Sequence, residues 1–448
     1  GPVEIVMQVS PANLRVASMF IEEARRYLDL YVPRLGAYPY RRFTIVENFF
    51  SSGFALPGFT VLGPRVVAMA PRSLAPGYLD HELVHNWWGN GVYVDPADGN
   101  WCEGLTSYCA NYWRRIADDG EAAGREYRRS IIMKLSSDPS LDDGPLAGFG
   151  SADPSVPGAG RFVGYEKGSF VFMMLEQILA AEARADEGVD RSPMWRAMRR
   201  FAEENLGKRA GWDELESAFE QETGRDLDDF FDRWVRDHTV PMSPTTLDEE
   251  AMQPFRAAFP LPMATPMLEW RVDADGRWAE IDPHFARYRR LPPEQVIPTL
   301  GGTTGPGGVA VEGPDRPEVQ GLRARLEHDA EGENLFLVGR EPIHEHASLL
   351  ERADDPIKLD KGGFTIDGVR YDDESQSVMH TMAHPDQPGR FVTIFLANSD
   401  VGWTRLRLAP FYTRDTTIIW SGDEVIGRRT HEPSRWIRVA PVGDHSTR

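Results

Sequence analysis

Only two cysteines, Cys102 and Cys109, occur in 448 residues, so no disulfide framework holds this chain together. They lie seven apart in what reads as one helix, about 10.5 Å of rise, beyond the roughly 7 Å Cα limit for a bridge. Both are expected to be free thiols, which tilts only weakly toward a reducing compartment, because exported chains of this size also manage without disulfides. Lysine is scarce too: five of the 49 basic residues are Lys and the rest Arg, a bias that GC-rich coding explains without any function. No apolar run reaches the roughly 18 residues of a membrane span; the greasiest stretch, Phe170 to Ala181, is broken by Glu176 and Gln177. Positive charge is in deficit, 49 Lys plus Arg against 69 Asp plus Glu, and the net −20 repels nucleic-acid phosphates and anionic lipid heads. Nucleic acid is therefore not an expected partner. No charged, hydrophobic, cleavable leader opens the sequence, and Gly1-Pro2 reads as a protease-cleavage scar, which would leave the natural N-terminus and any export signal outside it.

What is there is an ordinary globular composition, 41 % apolar with 41 Gly and 34 Pro, long enough for two or three domains. An amphipathic pattern from Asn13 to Val32, through Val16, Phe20, Ala24, Tyr27, Leu28 and Tyr31, predicts a helix that Pro33 stops. Phe43 to Phe50 is short and β-leaning, and Ser51 to Gly63 reads as an irregular strand-and-turn region at the edge of a small sheet. Helices are predicted over Pro76 to Trp88, from near Glu103, and from Glu166 onward, where Val171, Met174, Leu175, Ile178 and Leu179 fall on one face. The same spacing recurs in Leu227, Phe230, Phe231, Trp234 and Val235. Residues 244 to 290 lack a clear period, and Gly301 to Gly308 reads as a flexible linker. Beyond it, the β-runs Leu335 to Val338, Phe391 to Ala397 and Thr416 to Trp420 suggest a small α/β domain.

His81-Glu82-Leu83-Val84-His85 is the H-E-x-x-H pattern, placed inside the predicted Pro76 to Trp88 helix. Four residues bring both imidazoles to one helical face about 6 Å apart, where they can share a zinc ion. Glu82 lies between them around the helix, flanking the metal in the position a general base for a water molecule must occupy. With 11 His in 448 residues, chance would place roughly 0.02 such motifs in a chain this long. A third ligand is needed downstream, and Glu103 is the candidate; spacing alone does not separate a ligand from an acid that favours a helix start. His380 and His384 share the same i, i+4 spacing but lie in a β-leaning run before Pro385 and are expected as surface or core histidines. Gly158-Ala159-Gly160 with Gly164 has no strand leading into it and is no phosphate cradle.

The run His81 to Asn90 resembles the metal helix of the zinc aminopeptidases of the gluzincin clan, which include alanyl aminopeptidase and leukotriene hydrolase. Trp101-Cys102-Glu103-Gly104-Leu105-Thr106-Ser107-Tyr108 is similar to that family's third-ligand helix, shortened so that 17 residues separate His85 from Glu103 where the family has 18. Tyr165-Glu166-Lys167-Gly168 matches the family's Tyr-Glu-Lys-Gly, which implies that the Tyr165 hydroxyl donates a hydrogen bond to the oxyanion of the tetrahedral intermediate. The resemblance runs from about Met7 to Pro241. The large β-sheet domain that usually precedes the catalytic domain is absent from the sequence, and residues beyond 243 resemble C-terminal extensions of some bacterial members.

One motif departs from the family. Its exopeptidases carry Gly-x-Met-Glu-Asn, whose Glu pairs with the substrate's free α-amine; Ser52-Gly53-Phe54-Ala55-Leu56 falls on that motif and puts Ala55 at the Glu position. Losing such a partner for an ammonium group costs on the order of 2 to 5 kcal/mol. Either another acid such as Glu47, Asp80 or Asp98 takes over the amine, or the cleft accepts chain on both sides of the scissile bond. Gly53 is either a strand-edge glycine that lets substrate backbone approach or a plain turn glycine.

The expectation is an α+β chain. A thermolysin-like zincin catalytic domain spans residues 1–243 with a small β-sheet edge and a helical bulk, an irregular connector spans 244–308, and a small α/β domain of unknown role spans 309–448. The expected function is that of a zinc metallopeptidase holding one Zn2+ on His81, His85 and Glu103, with Glu82 and Tyr165 catalytic, Gly53 and Ala55 facing a peptide or protein substrate, and altered specificity toward internal or N-blocked sites. The alternative is a catalytically weak or inactive peptide-binding member of the same family. Compartment is left open, with resemblance to bacterial members favouring an extracytoplasmic place.

Overall fold

A computed structural model describes residues 2–50, 53–181, 192–304, 308–326, 334–360 and 362–439. The chain is of mixed α and β structure and divides into two compact units, one formed by residues 1–132, 141–241 and 248–289, the other by 133–140, 242–247 and 290–448. Among the described residues no helix is long and apolar enough to cross a membrane.

The first unit opens with a four-stranded sheet of β1 (Glu4–Gln8), β2 (Arg42–Glu47), β3 (Gly53–Leu56) and β4 (Phe59–Leu62), in the order β1-β2-β4-β3. β1, β2 and β4 run parallel, whereas β3 turns back on β4 through Pro57-Gly58, with Gly58 at φ +79° as the turn requires. β3 is thus an edge strand with one free side. Between β1 and β2 lies α1 (Ala17–Leu35), which buries Phe20, Ala24, Tyr27, Leu28 and Tyr31, the face expected from the sequence. It does not stop at Pro33: the proline sits in the last turn, and the helix runs on to Leu35, where Gly36 at φ +89° ends it.

The helical bulk comprises α2 (Leu79–Val84), α3 (Cys102–Ser107), α4 (Gly168–Ala180), α5 (Pro193–Asn205) and α6 (Trp212–Thr223). α2 is shorter than the expected Pro76 to Trp88 helix, because residues 76–78 form turns and the chain tightens after His85. The Asp80 carboxylate holds its start by accepting from the N–H groups of Gly77, Tyr78 and His81. α3 continues without a break through a π turn, Tyr108–Trp113, and α4 is preceded by another, Val163–Lys167. Cys102 and Cys109 are both buried free thiols.

The stretch read as an irregular connector is ordered in its first part. It carries α7 (Glu249–Ala258), started by Asp248, whose carboxylate accepts from Ala251 N at 2.9 Å, then a hairpin of β5 (Leu268–Asp273) and β6 (Gly276–Ile281). Met252, Phe255 and Phe259 fall at i, i+3 and i+7 and are buried, a period that Pro254 obscures in the sequence. Phe259 stacks on Trp234 at 5.3 Å and Tyr288 meets Phe170 edge-on at 5.4 Å, which ties this stretch to the helical bulk.

In the second unit, Gly301 and Gly302, expected in a flexible linker, belong to a short helix, Leu300–Thr303, and residues 305–307 of that linker lie outside the described residues. A six-stranded mixed sheet follows, built from β7 (Val309–Glu312), β8 (Asn334–Val338), β9 (Gln376–Ala383), β10 (Phe391–Ala397), β11 (Thr417–Ser421) and β12 (Glu424–Arg429) in the order β12-β11-β9-β10-β8-β7. Every residue of β10 is buried, because apolar clusters cover both of its faces; that is why it reads as a continuous apolar run. His380 lies buried in β9, bonded through its ring nitrogens to Thr417 Oγ1 at 2.8 Å and to the Asp355 carbonyl at 2.7 Å, a core histidine.

Candidate metal centre

Three nitrogen and oxygen atoms from two helices converge in the first unit. His81 Nε2 and His85 Nε2 are 3.2 Å apart, and each lies 3.3 Å from Glu103 Oε2. The imidazoles stand one turn apart at the C-terminal end of α2, their rings nearly perpendicular at 84°. Glu103 enters from the first turn of α3.

Contacts outside the motif support His85 and helix α2. His85 Nδ1 faces the Trp88 carbonyl at 3.0 Å, which turns Nε2 toward the other two side chains. α2 is clamped from behind by the Asp80 carboxylate, wholly buried and 3.1 Å from the Arg114 guanidinium, itself stacked over Tyr27. Asn86 links α2 to the edge hairpin: its side chain accepts from Gly58 N at 2.8 Å and donates to the Leu83 carbonyl at 3.0 Å.

α3 and α4 cross where Gly104 meets Gly168. A Cβ on Gly104 would lie 2.9 Å from Gly168 Cα, so only paired glycines allow the approach. That crossing brings Tyr165, on the π turn before α4, against the ligand set. Its ring lies parallel to His81 at 13° and 6.1 Å, and Phe149 meets it edge-on at 5.9 Å. The turn is anchored through Lys167, whose buried ammonium sits 3.0 Å from buried Asp142. Asp142 also accepts from the Tyr288 hydroxyl at 2.8 Å.

The site's charges are strongly coupled. Burial opposes ionisation of Glu103, but hydrogen bonds from both imidazoles outweigh it and hold this carboxyl well below the usual range. Burial also disfavours a charged His85, yet the Cys102 thiol and Glu103 raise its pKa above the ordinary imidazole value. Glu82 is raised, chiefly by burial and in part by Glu103, while Tyr165 is raised by burial and by Glu103.

Gly53 lies on β3 directly over Glu82: a Cβ there would sit 3.2 Å from Glu82 Oε1, so a side chain larger than hydrogen would press on that carboxylate. Ala55, two residues on, shares that face of the strand. Of the three acids considered as replacement amine anchors, two are committed elsewhere. Glu47 accepts from Ser10 N, Ser10 Oγ and Asn13 Nδ2, and Asp80 is the clamp of α2. Asp98 packs on Gly211 among Asp95, Asp213 and Glu214.

A mutual donor separation of 3.2–3.3 Å matches the edge of a tetrahedron with metal–ligand bonds of about 2.0 Å, as zinc makes with His and Glu. Two imidazole nitrogens and one carboxylate oxygen are the donor set of a catalytic zinc, with room for a fourth position. Glu216, Glu220 and Asp228 also bring carboxylates together, but there the Arg236 guanidinium, 2.6 Å from Glu216, supplies the cation.

Sequence reading missed the supports. Asp142 and Tyr288 lie 25 and 121 positions from Lys167 and carry no motif; a lysine next to an apolar helical run was the one hint that a buried partner existed. Arg161, whose guanidinium carbon lies 4.1 Å from the Tyr165 ring centroid, was signalled only by its i, i+4 spacing from that tyrosine.

A Peptidase family M1 domain is matched over residues 60–234, which include all the ligands, Glu82 and Tyr165. A glutamyl aminopeptidase from Bitis rhinoceros is 23 % identical over 192 residues, 42 % of this chain and 19 % of that protein. Among solved structures, native yeast LTA4 hydrolase is 20 % identical with a TM-score of 0.43, covering 54 % of this chain and 39 % of that one. An M1 zinc metallopeptidase from Deinococcus radiodurans is 19 % identical with a TM-score of 0.36, covering 49 % and 44 %. The chain thus spans about a fifth of the length of the aminopeptidase and less than half of either structure. What these comparisons establish is a likeness to the peptidase M1 domain over residues 60–234.

Proposed function

We propose that this chain is a zinc-dependent peptidase that hydrolyses peptide bonds with a preference other than a free N-terminal amine, on a thermolysin-like zincin arrangement of the edge sheet and helices α2 to α4. The observation that carries the reading is the 3.2–3.3 Å triangle of His81, His85 and Glu103 with Glu82 alongside. When bound there, zinc supplies Lewis acidity to a water molecule and to the substrate carbonyl. Glu82, its pKa raised by burial, accepts the proton of the attacking water and passes it to the leaving amine. Tyr165, neutral because burial raises its pKa, donates its hydroxyl hydrogen to the developing oxyanion, an interaction of about 2.7 to 4 kcal/mol in comparable sites. β3 offers its free edge to extended peptide backbone, and Gly53 keeps that edge clear above Glu82.

With Ala55 on β3 and with Glu47 and Asp80 engaged elsewhere, none of these three positions supplies a carboxylate for a substrate ammonium group. That supports action on internal or N-blocked sites. A panel of free-amine and N-acetylated peptides, assayed with and without chelator, tests the reading. Hydrolysis of blocked peptides that chelator abolishes and zinc restores is the expected result, and Glu82→Gln should keep zinc while losing nearly all turnover. Absence of hydrolysis from the zinc-loaded chain would favour a peptide-binding role instead.

A further inference from the structure

We propose that Arg161 is a carboxylate anchor at the mouth of the metal centre, so that the preferred peptide carries a carboxylate close to its scissile bond. The proposal rests on the peptidase reading for the identity of the cleft, but its binding test stands apart from turnover. Arg161 and Tyr165 occupy i and i+4 in one helical run, on the same face, and the guanidinium carbon lies 4.1 Å from the ring centroid. Tyr165 is half-buried between His81 and Phe149 on the inside, while Arg161 is exposed.

Among the described residues Arg161 makes no ion pair with a carboxylate, although the chain holds 69 acidic residues against 49 basic ones. The ring contact restricts where the guanidinium sits without neutralising it, and its N–H donors stay available. A planar fork of donors held in one place is the arrangement that takes a carboxylate by two parallel hydrogen bonds. The helix itself is fixed just before this residue, since Gly160 N donates to Asp143 at 2.7 Å, and just after it, through Lys167 and Asp142. Ala55 on β3 carries no charge to compete with Arg161 for a substrate carboxylate.

A carboxylate can come from an acidic side chain or from the end of the substrate chain, and the test separates the two. Fluorogenic N-acetylated peptides are compared in three forms: internal Glu with an amidated C-terminus, the same peptide with Gln, and the Gln peptide shortened so that a free C-terminal carboxylate follows the cleavage site. Each is assayed for hydrolysis by the zinc-loaded chain and for binding to Glu82→Gln by anisotropy. The expected result is a preference of about tenfold or more for one of the carboxylate-bearing peptides, lost in Arg161→Gln and partly kept in Arg161→Lys. Equal binding of all three peptides, or a preference that survives Arg161→Gln in a chain of unchanged melting temperature, would overturn the proposal. Failure of hydrolysis with the binding preference intact would overturn the peptidase reading alone.

Discussion

Gly104 and Gly168 meet face to face where α3 crosses α4, and a Cβ on either would lie within 3.0 Å of the other's Cα. Glu103 directly precedes one glycine and the Tyr165 to Lys167 turn the other, so this crossing sets the distance between Glu103 and Tyr165, the proposed third ligand and oxyanion donor. Gly104→Ala should cost about 1–3 kcal/mol of stability through overpacking. It should also weaken zinc binding, because the backbone must move beside Glu103. Denaturant unfolding and a competitive chelator titration measure both; a variant with unchanged zinc affinity would show that the crossing does not govern the ligand.

Lys167 and Asp142 form a buried ion pair at 3.0 Å, with no exposure on either side chain. Removing one charge strands the other, which typically costs about 3–5 kcal/mol, whereas removing both is far milder. Asp142→Asn is therefore expected to be strongly destabilised and to lose turnover through Tyr165. The double variant Asp142→Asn with Lys167→Met should recover much of the stability. Urea unfolding of the three proteins decides this, and a cost under about 1 kcal/mol for Asp142→Asn would mean that the pair does not hold the turn.

Glu47 is a structural acid in this account. Slight burial raises its pKa, but the hydrogen bonds from Ser10 and Asn13 prevail and hold it below the ordinary carboxylate range. A depressed folded-state pKa gives stability that is fully present above the unfolded value and is lost as pH falls through the folded one. Glu47→Gln should accordingly lower the melting temperature at pH 7, with the gap to the parent protein closing as pH falls below the unfolded carboxylate value and through the folded one. The ratio of blocked to free-amine hydrolysis should not change. A changed ratio at constant stability would make Glu47 the amine anchor after all.

Ala55→Glu would place a carboxylate on the face of β3 that holds Gly53 above Glu82. The expected outcome is a rise in cleavage of free-amine peptides relative to N-acetylated ones, on the order of tenfold for about 1.4 kcal/mol of new ion pairing. Steady-state rates on the paired peptides provide the check. No shift in the ratio would place the substrate N-terminus somewhere other than beside this strand.

The sequence carried the local part of this site and little of its support. His81 and His85 are four apart on a helix, so their convergence follows from helix geometry, and the apolar spacings in α1 and α4 reported the buried faces directly. Glu103 could be nominated by spacing, but the Gly104 to Gly168 approach that sets its helix against Tyr165 joins residues 64 apart and has no local signature. Two stretches misled for physical reasons. Pro254 inside α7 and the tight turn at Asp282, where φ is +47°, hide an ordered region behind residues that normally signal loops. Gly301 and Gly302 sit in a helix because Thr299 caps it and Phe391 leaves no room for a side chain at Gly302. The Lys167–Asp142–Tyr288 contacts join residues too far apart in the chain for any local pattern to reveal.

The central claim is that His81, His85 and Glu103 hold one zinc ion beside Glu82. An anomalous difference map, from crystals of the zinc-loaded chain recorded on either side of the zinc absorption edge, tests it without any assumption about substrate. The account predicts one strong peak within about 2.0–2.2 Å of His81 Nε2, His85 Nε2 and a Glu103 oxygen. A map with no peak there, or with zinc bound only at another cluster such as Glu216, Glu220 and Asp228, would contradict it.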